Sequence, residues 1–210
     1  MNLQFEKFEK NVVEVYSKLH GSIDASQPCA VSFQGSQKPF EFFCAWDIIS
    51  EKLKDVESPS FLEIGAWKGL WAIAFFEWCK LNNKKGRYTT VTWLEHDPNN
   101  SGLPSVKDHY IGEGFDFNLI SASSQLLSTK NIVTNHQTSY DFVFIDADHR
   151  YEGVTVDINF YSPLATKILA FHDIKPVGGG VERAIKDAGI KFDNEFCCAE
   201  DLMGIGIKLI

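Results

Sequence analysis

The sequence predicts an α/β fold: a doubly wound, mostly parallel sheet of seven strands with N-terminal helices and an antiparallel strand at its C-terminal edge. Three features predict it. From Phe61 onward, short apolar runs alternate with helical stretches, the order that gives a parallel sheet with right-handed crossovers. Several runs are apolar at consecutive positions, as strands covered on both faces must be. The last two runs stand too close together for a helical crossover and can pair only as antiparallel neighbours.

In chain order, Phe5, Phe8, Val12, Val15, Tyr16 and Leu19 fall at helical spacing and give the first 20 residues one apolar stripe. A polar stretch bearing glycine and serine, Gly21 to Pro39, reads as a loop, and Phe40 to Leu53 as a second helix. The expected strands are FLEI (61–64), VTWL (91–94), FNLI (117–120), DFVFI (141–145) and KILAF (167–171). Between the first two lies LWAIAFFEWCKL (70–81), apolar nearly all round and therefore a buried helix. FCCA (196–199) and GIGIKLI (204–210) complete the sheet. The whole chain, 1–210, reads as one domain, with a helical segment over 1–58 packing on an α/β core over 59–210.

Composition narrows the function classes. The net charge of −8 opposes a polyanionic partner, because nucleic-acid binders carry a basic face; a small-molecule ligand is expected instead. No run approaches the roughly 18 to 20 apolar residues that cross a bilayer, so no membrane partner is expected. The opening MNLQFEKFEK lacks the apolar core of an export signal. The cysteines at 29, 44, 79, 197 and 198 follow no zinc spacing, and the neighbouring pair is poorly suited to bond to itself. Five reduced thiols in a cytoplasmic protein are expected. Composition leaves a homo-oligomer open.

In such sheets ligands bind beyond the carboxyl ends of the strands, near the reversal of strand order. After the first strand, Glu63-Ile64-Gly65-Ala66-Trp67-Lys68-Gly69 leads into the buried helix. Glycines in this turn let the backbone approach a ligand and aim amides at it, so Glu63, Gly65, Trp67 and Gly69 are candidate cofactor-binding residues. A dinucleotide fingerprint would need glycine at 64, 66 and 69, but Ile64 and Ala66 occupy the first two. The second strand ends in Leu94-Glu95-His96-Asp97-Pro98, and a carboxylate there can accept from both ribose hydroxyls. Glu95, first after the apolar run, takes that role ahead of Asp97. After the third strand, Ser121 and Ser123 could meet an adenine edge, although loops are rich in serine anyway.

The strongest segment is Phe144-Ile145-Asp146-Ala147-Asp148-His149-Arg150, followed one strand later by His172-Asp173. Neighbouring strands lie about 5 Å apart, so both clusters face one crevice. Asp146, His172 and Asp173 offer the oxygen and nitrogen donors that suit a divalent metal. His149 is a candidate proton acceptor near neutral pH. Taken singly, Asp146 could cap the next helix and His172 could be satisfied by backbone; their convergence points to chemistry.

FLEIGAWKG, the E-H-D-P turn, FIDADHRYEGV and AFHDI stand in the order seen in class I S-adenosylmethionine-dependent methyltransferases, which the chain resembles over about residues 60–210. More narrowly, IDADHRYEGV followed by AFHDI and Gly180-Val181 is similar to the family that includes the cephalosporin-biosynthesis protein CmcI. The likeness to catechol and caffeoyl-CoA O-methyltransferases is more distant. The resemblance implies a Rossmann-like sheet and S-adenosylmethionine as cofactor, with Glu63 anchoring the turn near its amino-acid end. It also implies Mg²⁺ or Mn²⁺ at Asp146 and Asp173. His172 stands where these relatives carry an acidic residue, and His149 where the catechol enzymes place a lysine base. Ala165-Thr166-Lys167 replaces the usual Pro-Gly-Gly before the fifth strand.

The expected reaction is transfer of a methyl group to a hydroxyl of a small molecule. His149 or a metal would activate the acceptor, and Asp146 would serve catalysis, cofactor and metal alike. A nitrogen acceptor stays open. Phe40, Phe42, Phe43 and Trp46 either lid the acceptor pocket or sit in the core. The rival readings are an NAD(P)-dependent oxidoreductase, opposed by the missing glycines, and a cofactor-binding protein without catalysis.

Overall fold

Alternation within the strands decides the architecture. The computed structural model of the chain describes residues 3–20, 38–95, 102–175, 179–198 and 203–210. In β1 (Ser60–Ile64) Phe61 and Leu62 join apolar clusters on opposite faces of the sheet. In β4 (Tyr140–Ile145) Phe142 and Phe144 share the cluster of Phe61, while Val143 and Ile145 share that of Leu62. With both faces apolar, both must be covered by helices.

One face is closed by α1 (Leu3–His20), α2 (Pro39–Leu53), α3 (Leu70–Leu81) and α4 (Leu103–Gly112). Its core is aromatic: Phe61 stacks on Phe142 with ring centroids 4.2 Å apart, and Trp71 meets Phe144 at 4.2 Å. The other face is closed by α5 (Leu127–His136), α6 (Tyr151–Tyr161) and α7 (Gly180–Asp187), whose aliphatic side chains meet Leu62, Ile64 and Val143. No described helix is long and apolar enough to cross a membrane.

With β2 (Arg87–Thr92), β3 (Asp116–Ser121), β5 (Ala165–His172), β6 (Asn194–Phe196) and β7 (Ile205–Leu209), the described residues form a seven-stranded sheet in the order β3-β2-β1-β4-β5-β7-β6. Pairings from β3 through β5 are parallel, and β7 runs antiparallel to both β5 and β6. Strand order reverses between β1 and β4, where Ile64 lies beside both Val91 and Ile145.

Three expectations need correction. The second strand is Arg87–Thr92 rather than 91–94: buried Thr89, Thr90 and Thr92 build it, and a search for apolar runs passes over threonine although β-branched residues suit strands. The sixth strand is Asn194–Phe196, earlier than 196–199, and it pairs antiparallel with β7 at this edge of the sheet as expected. The cysteines are not all reduced. Cys44, Cys79 and Cys197 form no disulfide, but Cys198 is disulfide-bonded, a pairing that local spacing does not reveal. Residues 21–37, most of the expected loop and with it Cys29, lie outside the described residues, as do His96, Asp97 and Pro98.

Candidate active site

The reversal of strand order is also where the turn after β1 is tied to both neighbouring strands. The Gly65 amide donates to the Val91 carbonyl at 2.9 Å, and the Asp146 amide donates to the Ile64 carbonyl at 2.8 Å. The turn after β1 is thereby pinned between β2 and β4. Gly65 has φ +92°, and a Cβ added there would lie 2.1 Å from the Asp146 carbonyl oxygen. Only glycine fits. Two residues on, Trp67 takes φ +40°, a conformation rare for a bulky side chain, and remains 38% exposed.

A cavity of about 710 Å³ opens beyond these strand ends. Gly65 and Trp67 line it after β1, Thr92 and Trp93 at the end of β2, residues 122–125 after β3 and residues 146–150 after β4. Of the expected site residues it therefore gathers Gly65, Trp67, Ser123, Asp146 and His149. Gly69 precedes α3 and packs near Leu103, and Ser121 is exposed at the end of β3; neither borders the cavity. Glu95 is exposed three residues beyond β2 and does not line the cavity either. Glu63 points into the core. It is 1% exposed, the Tyr88 hydroxyl donates to it, and burial holds its carboxyl well above the ordinary range. Its side chain thus braces β1 against β2 instead of touching a ligand.

A larger groove of about 1110 Å³, between α1, α2 and Phe196, lies away from the strand ends. Phe40 and Phe43 line that groove, and Phe42 and Trp46 are core residues. None of the four lids the strand-end cavity.

Beside the cavity, β4 and β5 release Asp146, His149, His172 and Asp173 toward one another. His149 Nε2 lies 3.0 Å from Asp173 Oδ2 and 3.6 Å from Asp146 Oδ1. His172 Nδ1 lies 3.2 Å from Asp173 Oδ1 and 3.4 Å from Asp146 Oδ1. The side chain of His149 is 57% exposed and that of His172 only 1%. Asp173 has φ +56°, a strained backbone that aspartate tolerates better than most residues. Hydrogen bonds with Asp146 and Asp173 push the His149 imidazole up to about 10. Burial pushes His172 down, but the negative charges of the same two nearby carboxylates outweigh it and bring it to about 10. Burial opposes ionisation of both carboxyls as well; the histidines prevail and hold them below the ordinary range. Two carboxylates and two imidazolium rings therefore balance one another.

Oxygen and nitrogen atoms of Asp146, His149 and Asp173 all lie within 4.8 Å of one another, as donors to a metal ion must. His149 joins the two carboxylates in this set; His172 Nδ1, at similar distances from both, belongs to a buried ring. The capping alternative for Asp146 fails, because α6 begins after Arg150 and no side chain caps it.

The sequence assigned no site role to Thr92, Trp93, Ser124, Gln125, Asp148 or Arg150, all of which line the cavity. Their position just past strand ends was the available signal. Asp148 accepts from the Arg150 amide at 2.9 Å, its guanidinium at 2.6 Å and the Gln125 amide at 2.7 Å. The hydrogen bond from the Arg150 side chain brings its carboxyl down to about 2. It ties the turns after β3 and β4 together.

A family model described as a methyltransferase domain matches residues 62–174, more than half of the chain. Among solved structures the fold is similar to CalS11, a TDP-rhamnose 3′-O-methyltransferase of calicheamicin biosynthesis, with TM-score 0.62 and 13% identity over 98% of this chain and 95% of that one. It is also similar to SAH-bound PaMTH1 of Podospora anserina, with TM-score 0.54 and 16% identity over 98% and 93%. A third likeness is to MycE of the mycinamycin pathway, solved with Mg, SAH and mycinamycin VI, with TM-score 0.58 and 11% identity over 95% of this chain and 54% of that one. No curated protein matches in sequence.

Proposed function

The chain belongs to the methyltransferase-domain family, as an S-adenosylmethionine-dependent enzyme, and we propose that it methylates a hydroxyl oxygen of a small molecule at the Asp146–His149–Asp173 cluster. The observation that carries this reading is the convergence of those three side chains beside the strand-end cavity.

The cofactor occupies the cavity, with Gly65 and Trp67 on one side and Ser123 on another. Glu95, three residues beyond β2 and outside the cavity lining, would have to turn toward the cavity to reach the ribose hydroxyls. The acceptor oxygen attacks the methyl carbon in line with the carbon–sulfur bond, whose electrons return to sulfur and leave a neutral thioether. The leaving group needs no proton, so the protein's tasks are alignment and removal of the hydroxyl proton. His149, the exposed member of the cluster, takes that proton in its neutral form, which the metal-free protein reaches only as pH approaches about 10, and Asp173 at 3.0 Å orients the ring.

Two carboxylates and an imidazole are a donor set that suits a hard divalent ion such as Mg²⁺ or Mn²⁺, and Asp146 and Asp173 would hold it. When bound, such an ion supplies Lewis acidity toward a hydroxyl oxygen and competes for the carboxylates that keep His149 protonated. The magnesium in the MycE structure supports this part of the reading.

The test is methyl transfer from labelled S-adenosylmethionine to a panel of hydroxylated compounds and matched amines, with and without EDTA. Transfer to hydroxyls is expected, abolished by EDTA and restored by Mg²⁺ or Mn²⁺. Transfer to amines alone, or to nothing in the panel, would overturn the oxygen assignment. Full activity in excess EDTA would remove the metal and leave the His149–Asp173 pair as the activating group.

A further inference from the structure

Ser124, which lines the cavity after β3 beside Gln125, is held from outside it by α6. Tyr161 is fully buried, and its hydroxyl donates to the Ser124 carbonyl at 2.7 Å. One helical turn earlier on the same face stands Asp157, 0% exposed. Both carboxyl oxygens of Asp157 are buried without a hydrogen-bond partner among the described residues; burial pushes the carboxyl up to about 7, with nearby Ser124 drawing it back and the charge of Asp148 adding to the rise. Gln125, in turn, is tied to Asp148 at 2.7 Å. Of two neighbouring residues of the cavity wall, Ser124 is thus held from behind by Tyr161 and Gln125 from within the wall by Asp148.

Packing does not explain these side chains. An enclosed carboxyl costs free energy that a leucine at 157 would not, and the neighbouring Val154 and Ile158 already supply the apolar contact with the sheet. What Tyr161 provides is a hydrogen bond to a loop whose own backbone has left the sheet, and Asp157 places a buried polar group on the same helix face one turn earlier.

We propose that Asp157 and Tyr161, neither of which borders the cavity, are positioning residues that fix the Ser124–Gln125 wall and thereby set affinity for the cofactor. This rests on the reading that the cavity holds the cofactor.

Calorimetric titration with S-adenosylhomocysteine tests both at separate points. Wild type should bind; absence of binding overturns the cofactor reading and this proposal with it. Tyr161→Phe and Asp157→Ala should each raise Kd about fivefold or more. Asp157→Asn, which keeps a neutral polar group of the same shape, should stay within about twofold. In a Ser124→Ala background the Asp157→Ala effect should shrink, because coupled residues are not additive. If Asp157→Ala does not fold, Tyr161→Phe decides the matter. Wild-type affinity in Tyr161→Phe, or equal losses in Asp157→Asn and Asp157→Ala that follow their melting temperatures, would reduce these residues to structural support and overturn the proposal.

Discussion

His149 Nε2 stands 3.0 Å from Asp173 Oδ2, although the two residues leave different strands and are separated by the whole of α6. The contact depends on two unrelated features. The turn after β4 carries His149 back toward the sheet, and the left-handed backbone at Asp173, φ +56°, lets its carboxylate reach His149 and His172 together. A ring held by a carboxylate through one nitrogen keeps the other for an acceptor, the arrangement that general bases share.

If His149 is the base, His149→Ala should depress kcat by about two to four orders of magnitude. Affinity for S-adenosylhomocysteine, measured by calorimetry, should change less than about twofold, because the glycine turn and the Ser124 wall are untouched. Turnover near the wild-type rate would leave the metal as the activating group.

Gly65→Ala should be far more disruptive than its size suggests. The new methyl would lie 2.1 Å from the Asp146 carbonyl oxygen, in a backbone with φ +92° that L-residues rarely adopt. Strain of this kind costs on the order of 1–3 kcal/mol before any clash is counted. Thermal unfolding with and without S-adenosylhomocysteine should show a lower Tm and no shift from the ligand. A retained ligand shift would mean that the cavity tolerates a wider turn than this close contact allows.

Much of the fold was legible because apolar patterning reports two-sided burial directly. LWAIAFFEWCKL spans α3 from end to end, and KILAF lies within β5. The second strand was less legible, since Arg87-Tyr88-Thr89-Thr90-Val91-Thr92 buries its threonines without looking apolar. In the site, the strand ends gave Asp146, His149, His172 and Asp173 as one cluster, but not which histidine faces outward. That choice depends on the path of the turn and on the backbone of Asp173, neither of which has a sequence period. Glu63 shows the same limit. Its place at a strand end is readable, yet the direction of its side chain is fixed by Tyr88 on the neighbouring strand.

Asp157 should make stability depend on pH in a definite direction. Its carboxyl is raised from 3.8 to about 7 by burial, so the folded state binds that proton more tightly than the unfolded state. The stability it contributes is fully present below the unfolded value and is lost as pH rises through about 7. Between about pH 5 and pH 8 the loss from this group is on the order of 2–3 kcal/mol. Other titrating groups are common to wild type and Asp157→Asn, so the difference between their urea-unfolding free energies isolates it. The asparagine variant should gain on wild type as pH rises. A difference that stays flat across the range would mean that Asp157 is ionised in the folded protein.

Gly180 offers a way to move His149 without touching it. Gly180 opens α7 against the turn after β4, and a Cβ there would lie 2.2 Å from the His149 carbonyl oxygen and 2.8 Å from the Tyr151 amide nitrogen. Both contacts are backbone, which cannot swing aside as a long side chain can. Gly180→Ala must therefore push α7 outward or displace the turn that carries His149, and displacement of a reacting group by about 1 Å can cost two orders of magnitude in rate. We expect kcat to fall tenfold or more, with affinity for S-adenosylhomocysteine changed less than threefold. Gly112→Ala is the comparison, because an added Cβ meets nothing within 4 Å there, and it should leave both quantities near wild type. Equal kcat in Gly180→Ala and Gly112→Ala would show that α7 yields and that the position of His149 does not depend on it.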